Sequence, residues 1–301
     1  MTAALHIPVL LRETLDALAV KKGGRYIDGT FGRGGHARAI AERGGEVLGI
    51  DRDDEAVASA GGIKVVKGRH GDIAAIAAAN GWNEVDGILL DLGVSSPQLD
   101  GAERGFSFMR EGPLDMRMDR SCGATAADIV RDESAEGLER IFREYGEEPN
   151  ARRLARAIAA ERDRTGGAAF ETTSALAEFI VATIGRRGAK HPATRVFQAL
   201  RMAVNDETGE LSRALESGAK LLAHGGRFAV ITFESVTDRI VKRFFAAHAG
   251  RVESLQQGGA EWRGEEPRMR PVTRRALRPR AAETDSNPRA RSAKLRASER
   301  E

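Results

Sequence analysis

Between residues 26 and 91, short aliphatic and β-branched runs alternate with longer stretches whose apolar positions recur at helical spacing. Tyr26–Asp28, Glu46–Asp51, Lys64–Lys67 and Asp86–Asp91 read as strands, and Gly35–Glu42, Asp54–Ala60 and Ile73–Asn80 as helices with polar starts. Strands alternating with amphipathic helices are the pattern of a parallel sheet covered by helices. In such sheets ligands bind outside the carboxyl ends of the strands. Asp28, Asp51 and Asp91 each close a strand and are therefore expected to converge on one cleft.

From about Glu103 the rhythm changes, and about a hundred residues follow without a β-run. Ser134–Tyr145, Asn150–Arg162, Ser174–Ile184 and Thr194–Val204 read as helices, so an inserted all-helical domain is predicted over 104–207 between core segments 1–103 and 208–301. The α/β rhythm resumes with a helix over Glu210–Leu222, a turn at His224-Gly225-Gly226, a strand over Arg227–Thr232 and a helix over Ser235–Ala247. After Arg263, Pro and Arg predominate, which predicts loop with one late strand at Ser292–Ser298.

With 301 residues and 41% hydrophobic content the chain can bury a sizeable core. Its net charge of +3 hides an asymmetry: Trp262–Glu301 carries +6 and residues 1–261 carry −3. A basic tail is a first pointer to an acidic partner, although such tails are often only solvated. Cys122 is the single cysteine, and none of the six histidines is spaced with a second His or Cys as a metal site requires, so no metal is expected. No uncharged apolar stretch approaches the roughly 18 residues of a membrane span, which predicts a cytoplasmic chain.

The first strand leads into Asp28-Gly29-Thr30-Phe31-Gly32-Arg33-Gly34-Gly35-His36-Ala37, in which Gly32, Gly34 and Ala37 satisfy the loose G-x-G-x-x-A fingerprint. Asp51 stands where a carboxylate meets a ribose diol. Both NAD and S-adenosylmethionine carry that ribose, and charge separates them. A pyrophosphate is poorly placed beside Asp28, whereas a sulfonium and an ammonium are well placed there. The fourth strand continues into Asp91-Leu92-Gly93-Val94-Ser95-Ser96-Pro97-Gln98, an acidic lip of the type used to methylate exocyclic amines. Such an amine is a poor nucleophile, so its transfer needs a proton acceptor and in-line placement. Asp91 could equally cap the following loop, and Ser95-Ser96-Pro97 is common turn chemistry.

These segments together resemble the bacterial 16S ribosomal RNA cytosine-N4 methyltransferases along essentially the whole chain. The likeness is carried by His6–Leu11, Tyr26–His36, Gly49–Asp53, Asp86–Asp100, Glu103–Phe108 and Gly112–Asp119, then by Tyr145–Glu148, His191–Gln198, Asp238–Lys242 and Asn287–Ser292. It implies a Rossmann-like methyltransferase core whose helical insert recognises substrate. The implied cofactor is S-adenosyl-L-methionine, and the implied partner is 16S rRNA or the small ribosomal subunit, with a decoding-region cytidine as acceptor. The resemblance assigns the cofactor to Gly34, Gly35, His36, Asp51, Asp91 and Gln98, and to the position held here by Ile73. Two departures stand out. Ile73 replaces a Phe usual in the family, and Glu234, in Thr232–Asp238, replaces a His.

Asp91 is the expected acceptor of the amine proton, in a direct displacement that needs no nucleophile such as Cys122. His36 reads either as a cap or as a cofactor contact. Phe106 and Phe108 read as core or as a platform for a splayed base. Asp115, Arg117 and Asp119 read as an internal ion-pair network or as substrate contacts. Arg152, Arg153 and Arg156 read as a solvated helix face, and Arg289, Arg291, Lys294 and Arg296 as phosphate contacts. Two other functions fit parts of the pattern: a nicotinamide oxidoreductase, from the glycine loop and Asp51, and a non-catalytic rRNA-binding assembly factor, from the tail and the two departures.

Overall fold

A computed structural model describes residues 8–165, 168–186, 188, 191–254 and 260–301. His6 and Ile7 of the first matching segment lie outside the described residues. The chain divides into two compact units, residues 1–93 with 208–301, and residues 94–207.

The first unit opens with α1 (Leu11–Leu18) and continues as β1 (Arg25–Asp28), α2 (Gly35–Glu42), β2 (Glu46–Asp51), α3 (Asp54–Ala58), β3 (Lys64–Lys67), α4 (Ile73–Ala79) and β4 (Val85–Asp91). Asp53 starts α3 by accepting a hydrogen bond from the Glu55 N–H, which satisfies one of the free donors of the first turn.

The second unit is helical: α5 (Ser96–Asp100), α6 (Ala126–Asp132), α7 (Ala135–Glu144), α8 (Ala151–Thr165), α9 (Thr173–Ile184) and α10 (Ala193–Val204). Reciprocal capping boxes start α5 (Ser95 with Gln98) and α6 (Thr125 with Asp128). Its core gathers Leu138, Phe142, Leu154, Ile158, Leu176, Ile180, Val196 and Leu200. The predicted boundary at residue 104 falls ten residues inside this unit, because Val94 and Leu99 pack on the helical core.

The first unit resumes with α11 (Glu207–Leu221), β5 (Leu222–Thr232), α12 (Ser235–Ala249), a hairpin of β6 (Arg251–Ser254) and β7 (Ala260–Arg263), β8 (Met269–Pro271), α13 (Ala281–Ser286) and β9 (Lys294–Arg300). The sheet order is β3-β2-β1-β4-β5-β9-β8, parallel through β5, with β9 and β8 antiparallel. This is a Rossmann-like sheet with a mixed edge. Side-chain alternation splits the strands between two cores: Ile27, Ile88, Leu90, Phe228 and Val230 enter one, and Tyr26, Leu89, Ala229 and Ile231 the other. The turn expected at 224–226 lies within β5. Pairing jumps from Val85–Leu222 to Gly87–Arg227, so residues 223–226 bulge from the ladder, with Gly225 at φ 75°.

Candidate active site

The parallel register brings the ends of β1, β2 and β4 to one edge of the sheet. Hydrogen bonds then fix the loop after β1 against its neighbours. Phe31 N–H donates to the Ile50 carbonyl (3.0 Å), Gly32 N–H to Asp51 Oδ2 (2.8 Å), and Asp91 N–H to Thr30 Oγ1 (2.6 Å). The loop therefore touches the ends of both flanking strands. Gly34 caps α2 at φ 71°, and a Cβ there would lie 2.5 Å from Phe31 Cζ; a Cβ on Gly35 would lie 2.4 Å from Pro8 Cγ. Both positions need glycine for backbone shape and close packing, independently of any ligand.

Three carboxyls meet at this edge. Asp28 is 1% exposed and accepts a hydrogen bond from Thr30 N–H (3.2 Å). Burial pushes it up to about 7, and the nearby Asp51 adds to the rise. Asp51 is raised by burial as well, against the opposing N–H groups of Asp53 and Gly32. Asp91 is pushed up to about 8, first by burial and then by Asp28. Its Oδ1 is buried without a hydrogen-bond partner in the protein. Native interiors rarely leave such an acceptor unsatisfied, and each exception calls for an explanation.

His36 sits beside it, 5% exposed, with Nε2 donating to the Val9 carbonyl (3.0 Å) and Nδ1 3.7 Å from Asp91 Oδ2. The bond to Val9 fixes the ring, so His36 anchors the turn leading into α1 and stands beside the Asp91 carboxyl. The glycine loop, His36, Asp51 and Asp91 are thus brought together as expected.

Ile73 is fully buried in the sheet core with Ile50 and Leu90, so its side chain offers no surface to a ligand and only its backbone remains available. Gln98 belongs to the helical unit, where its Oε1 accepts from Ser95 N–H (2.9 Å). Glu234 precedes α12 and accepts from the Thr237 hydroxyl (3.4 Å). Phe106 is core, with the Arg104 guanidinium 5.8 Å from its ring centre, and Phe108 stacks on His191 (4.5 Å) and meets Phe197 edge-on (5.0 Å). Neither ring is a free platform. Arg117 donates two hydrogen bonds to the Asp115 carboxylate (2.8 and 2.9 Å), and Asp119 binds Ser121; these charges form an internal network. Lys294 and Arg296 are both bonded to Asp238 (2.9 and 2.7 Å), so these two basic residues of the tail serve the fold and are not available to phosphates.

Two features escaped the sequence. Glu210 of α11, 1% exposed, accepts from Gly71 N–H (3.0 Å) and from Arg213 (2.9 Å), bracing the loop after β3. His70 in that loop has a buried Nε2 without a partner, and burial with the Arg52 charge lowers it to about 4, so the ring is neutral. Its Cβ lies 3.4 Å from where a Cβ on Gly29 would stand, placing it against the loop after β1.

Among the described residues no group of three His, Cys, Asp or Glu is arranged to hold a metal, and no helix is long and apolar enough to cross a membrane. What the site offers is an electronegative edge with an unpaired acceptor beside a close-approach backbone loop. That donor and acceptor set fits a cationic ligand bearing a ribose.

Comparison with known proteins agrees with this chemistry. The profile of the MraW methylase family matches residues 3–301. A protein of Methylobacterium nodulans named ribosomal RNA small subunit methyltransferase H is 48% identical, covering 98% of this chain and 90% of the relative. Proteins of the same name from Paramagnetospirillum magneticum and Trichlorobacter lovleyi are 47% and 46% identical, covering 100% and 98% of this chain and 97% and 98% of theirs.

Proposed function

Because the chain belongs to the MraW methylase family, we propose that it methylates the small-subunit ribosomal RNA, with the N4 amine of a decoding-region cytidine in 16S rRNA as acceptor. It is an S-adenosyl-L-methionine-dependent methyltransferase. The observation that carries the assignment to this edge is Asp91 at the end of β4: a partly buried carboxyl, pushed up to about 8, whose buried Oδ1 has no hydrogen-bond partner. The bound cofactor supplies a methyl group on a positively charged sulfur.

The chain's own residues do the rest. Gly34 and Gly35 let the backbone approach closely. Asp51 already accepts from Gly32 and Asp53, which orients its carboxylate while leaving lone pairs for a ribose diol. His36, held by Val9, keeps the wall of the pocket in place. Beside a positive charge the Asp91 carboxylate ionises, since opposite charge favours the charged form. It then becomes a base for an amine proton, where alone it would hold one. In a direct displacement, Asp91 Oδ1 or Oδ2 would accept the proton that the cytidine amine loses. The family likeness also assigns the position of Ile73 to the cofactor.

The helical unit is proposed to recognise the RNA. Its α8 presents Arg152, Arg153 and Arg156, all exposed, along an open groove of about 640 Å³ with Pro149 and Asn150. Guanidinium groups in that setting suit backbone phosphates. The site of action follows as the cytoplasm, where small subunits mature.

Transfer of a tritiated methyl group onto 30S subunits, compared with free 16S rRNA, tests the reading and identifies the accepted form of the substrate. Calorimetry with S-adenosylhomocysteine and NAD separates it from a dehydrogenase. An unchanged cytidine N4 modification in 16S rRNA from a deletion strain would leave only a non-catalytic assembly role.

A further inference from the structure

The arginines of the C-terminal segment fall into two groups. Lys294 and Arg296 bind Asp238, Arg270 binds Glu299, and Arg300 donates to the carbonyls of Lys220 and Leu222. Arg274, Arg275, Arg278, Arg280 and Arg291 behave differently: each is exposed, and none has an acidic partner among the described residues. Between residues 272 and 293 six arginines accompany two acids, Glu283 and Asp285. Glu283 is already engaged, accepting from the Leu10 N–H at 2.7 Å.

The register of the sheet places this second group. Asp91 pairs with Ile231, Ile231 with Leu295, and Leu295 bridges to Leu277. Asp91 and Leu277 therefore lie on one line across the sheet, three strand spacings apart, about 14 Å. Thr273 bonds lower down at Ala297, so the chain from 273 to 280 runs toward the carboxyl ends of β4 and β5. Arg278 and Arg280 follow Leu277 directly in this run, and Arg291 stands three residues before Lys294, which pairs with Thr232 at the end of β5. The segment is also tied to the pocket wall. Glu283 holds Leu10, the preceding Val9 carbonyl holds His36, and His36 faces Asp91.

From this placement we infer that Arg278, Arg280 and Arg291 form a phosphate-binding rim that grips the RNA backbone next to the nucleotide presented to Asp91. The inference rests on the reading of the substrate as RNA and adds to it where the strand runs: over the β9 side of the cleft. The rim contacts sugar–phosphate, not the base, so it positions the strand without selecting sequence. A nucleotide turned out of its stack has to be held by its neighbours, and guanidiniums on the segments that lead from Leu277 and into β9 would supply that hold.

The test compares the full-length protein with a triple variant, Arg278→Gln, Arg280→Gln and Arg291→Gln. Three quantities are measured: S-adenosylhomocysteine affinity, steady-state methyl transfer onto small subunits, and binding of free 16S rRNA against salt. The rim predicts unchanged S-adenosylhomocysteine affinity, kcat within about threefold, and KM for the subunit raised about tenfold. It also predicts a plot of log affinity against log salt shallower by about 2, three phosphates at about 0.7 each. A second triple variant with Lys at the same positions should keep the wild-type salt slope. Wild-type KM and salt slope in the Gln variant would overturn the inference. Should the Gln variant lose S-adenosylhomocysteine binding, Arg291→Gln alone decides by the same salt slope. If the wild type methylates no RNA, the reading of function fails by itself, while the salt slope still reports on the three arginines.

Discussion

His36 Nδ1 and Asp91 Oδ2 stand 3.7 Å apart, one at the start of α2 and the other at the end of β4. With Nε2–H committed to Val9, the face of the imidazole toward Asp91 carries either a lone pair or a second proton. Without a ligand Asp91 holds a proton below about pH 8, and a cation reaching its Oδ1 displaces that proton. Asp91→Asn is therefore expected to lower kcat about 100-fold or more at saturating cofactor, the scale of a lost general base. Near-full turnover in a quenched-flow or steady-state assay would remove Asp91 from the proton-transfer role.

The same carboxyl makes cofactor binding pH-dependent. Asp91 without ligand titrates at about 8, so below that pH a cationic ligand must drive off a proton to gain its charged partner. Affinity for S-adenosylmethionine should rise with pH, by up to tenfold per unit, and level off near pH 8. Calorimetry in buffers of different ionisation enthalpy should show proton release at pH 7, and Asp91→Asn should abolish it.

Stability without ligand should run the other way. The folded values of Asp28 (about 7) and Asp91 (about 8) lie above the unfolded value near 3.9, so the native state holds more protons between those limits. Their stabilising contribution is full below about pH 4 and is lost as pH rises through 7 and 8. At pH 8, Asp91→Asn should stabilise the ligand-free protein by about 1–3 kcal/mol, the cost of an unsatisfied buried polar group. Chemical denaturation at pH 5 and pH 8 measures the difference, and equal stabilities of variant and wild type at pH 8 would contradict the assignment.

The glycine loop carries a steric prediction. Gly34→Ala puts a Cβ into Phe31 at a positive φ, and Gly35→Ala puts one into Pro8. Each should cost about 1–3 kcal/mol of stability. Gly34→Ala should in addition weaken S-adenosylhomocysteine binding, because relieving the clash displaces the turn that leads into α2. Full affinity in Gly34→Ala would show that the loop backbone does not touch the ligand.

In the first turn of α12, burial raises Asp238, but its bonds to Arg296 and Lys294 prevail and hold it below the usual carboxylate range. Its contribution is present above about pH 4 and disappears as pH falls through the depressed folded value. Asp238→Ala, which leaves two partly buried cations unpaired, should cost about 2–4 kcal/mol near neutral pH. The loss should shrink on acidification, as urea titrations at pH 7 and pH 3 would show.

What was legible in the chain depended on how local the cause was. Strands that end on Asp28, Asp51 and Asp91, a glycine turn and the helix from Ser134 are short-range patterns, and they appear close to where they are expected. The resemblance assigns the position of Ile73 to the cofactor, and tertiary packing turns its side chain into the core. Lys294 and Arg296 looked like members of one basic tail because nothing nearby in sequence announces Asp238, more than fifty residues earlier. The brace from Glu210 to Gly71 is hidden for the same reason. The turn at 224–226 was a sound local reading, and only pairing with β4 on either side converts it into a bulge.

The helical unit is inserted between β4 and its parallel partner, and this has a consequence during synthesis. β4 ends at Asp91 and β5 begins at Leu222, so about 130 residues separate the two halves of one ladder. At about 5–20 residues per second, β4 leaves the ribosome roughly 7–26 s before β5 exists to cover its edge. That edge carries Ile88, Leu89 and Leu90, an apolar row with free backbone groups of the kind that recruits foreign strands. The helical unit can complete its own core in that interval, since its hydrophobic cluster lies between Val94 and Val204. The nascent chain thus passes through a stage with a finished insert and an unfinished sheet, and its yield should depend on how fast β5 arrives.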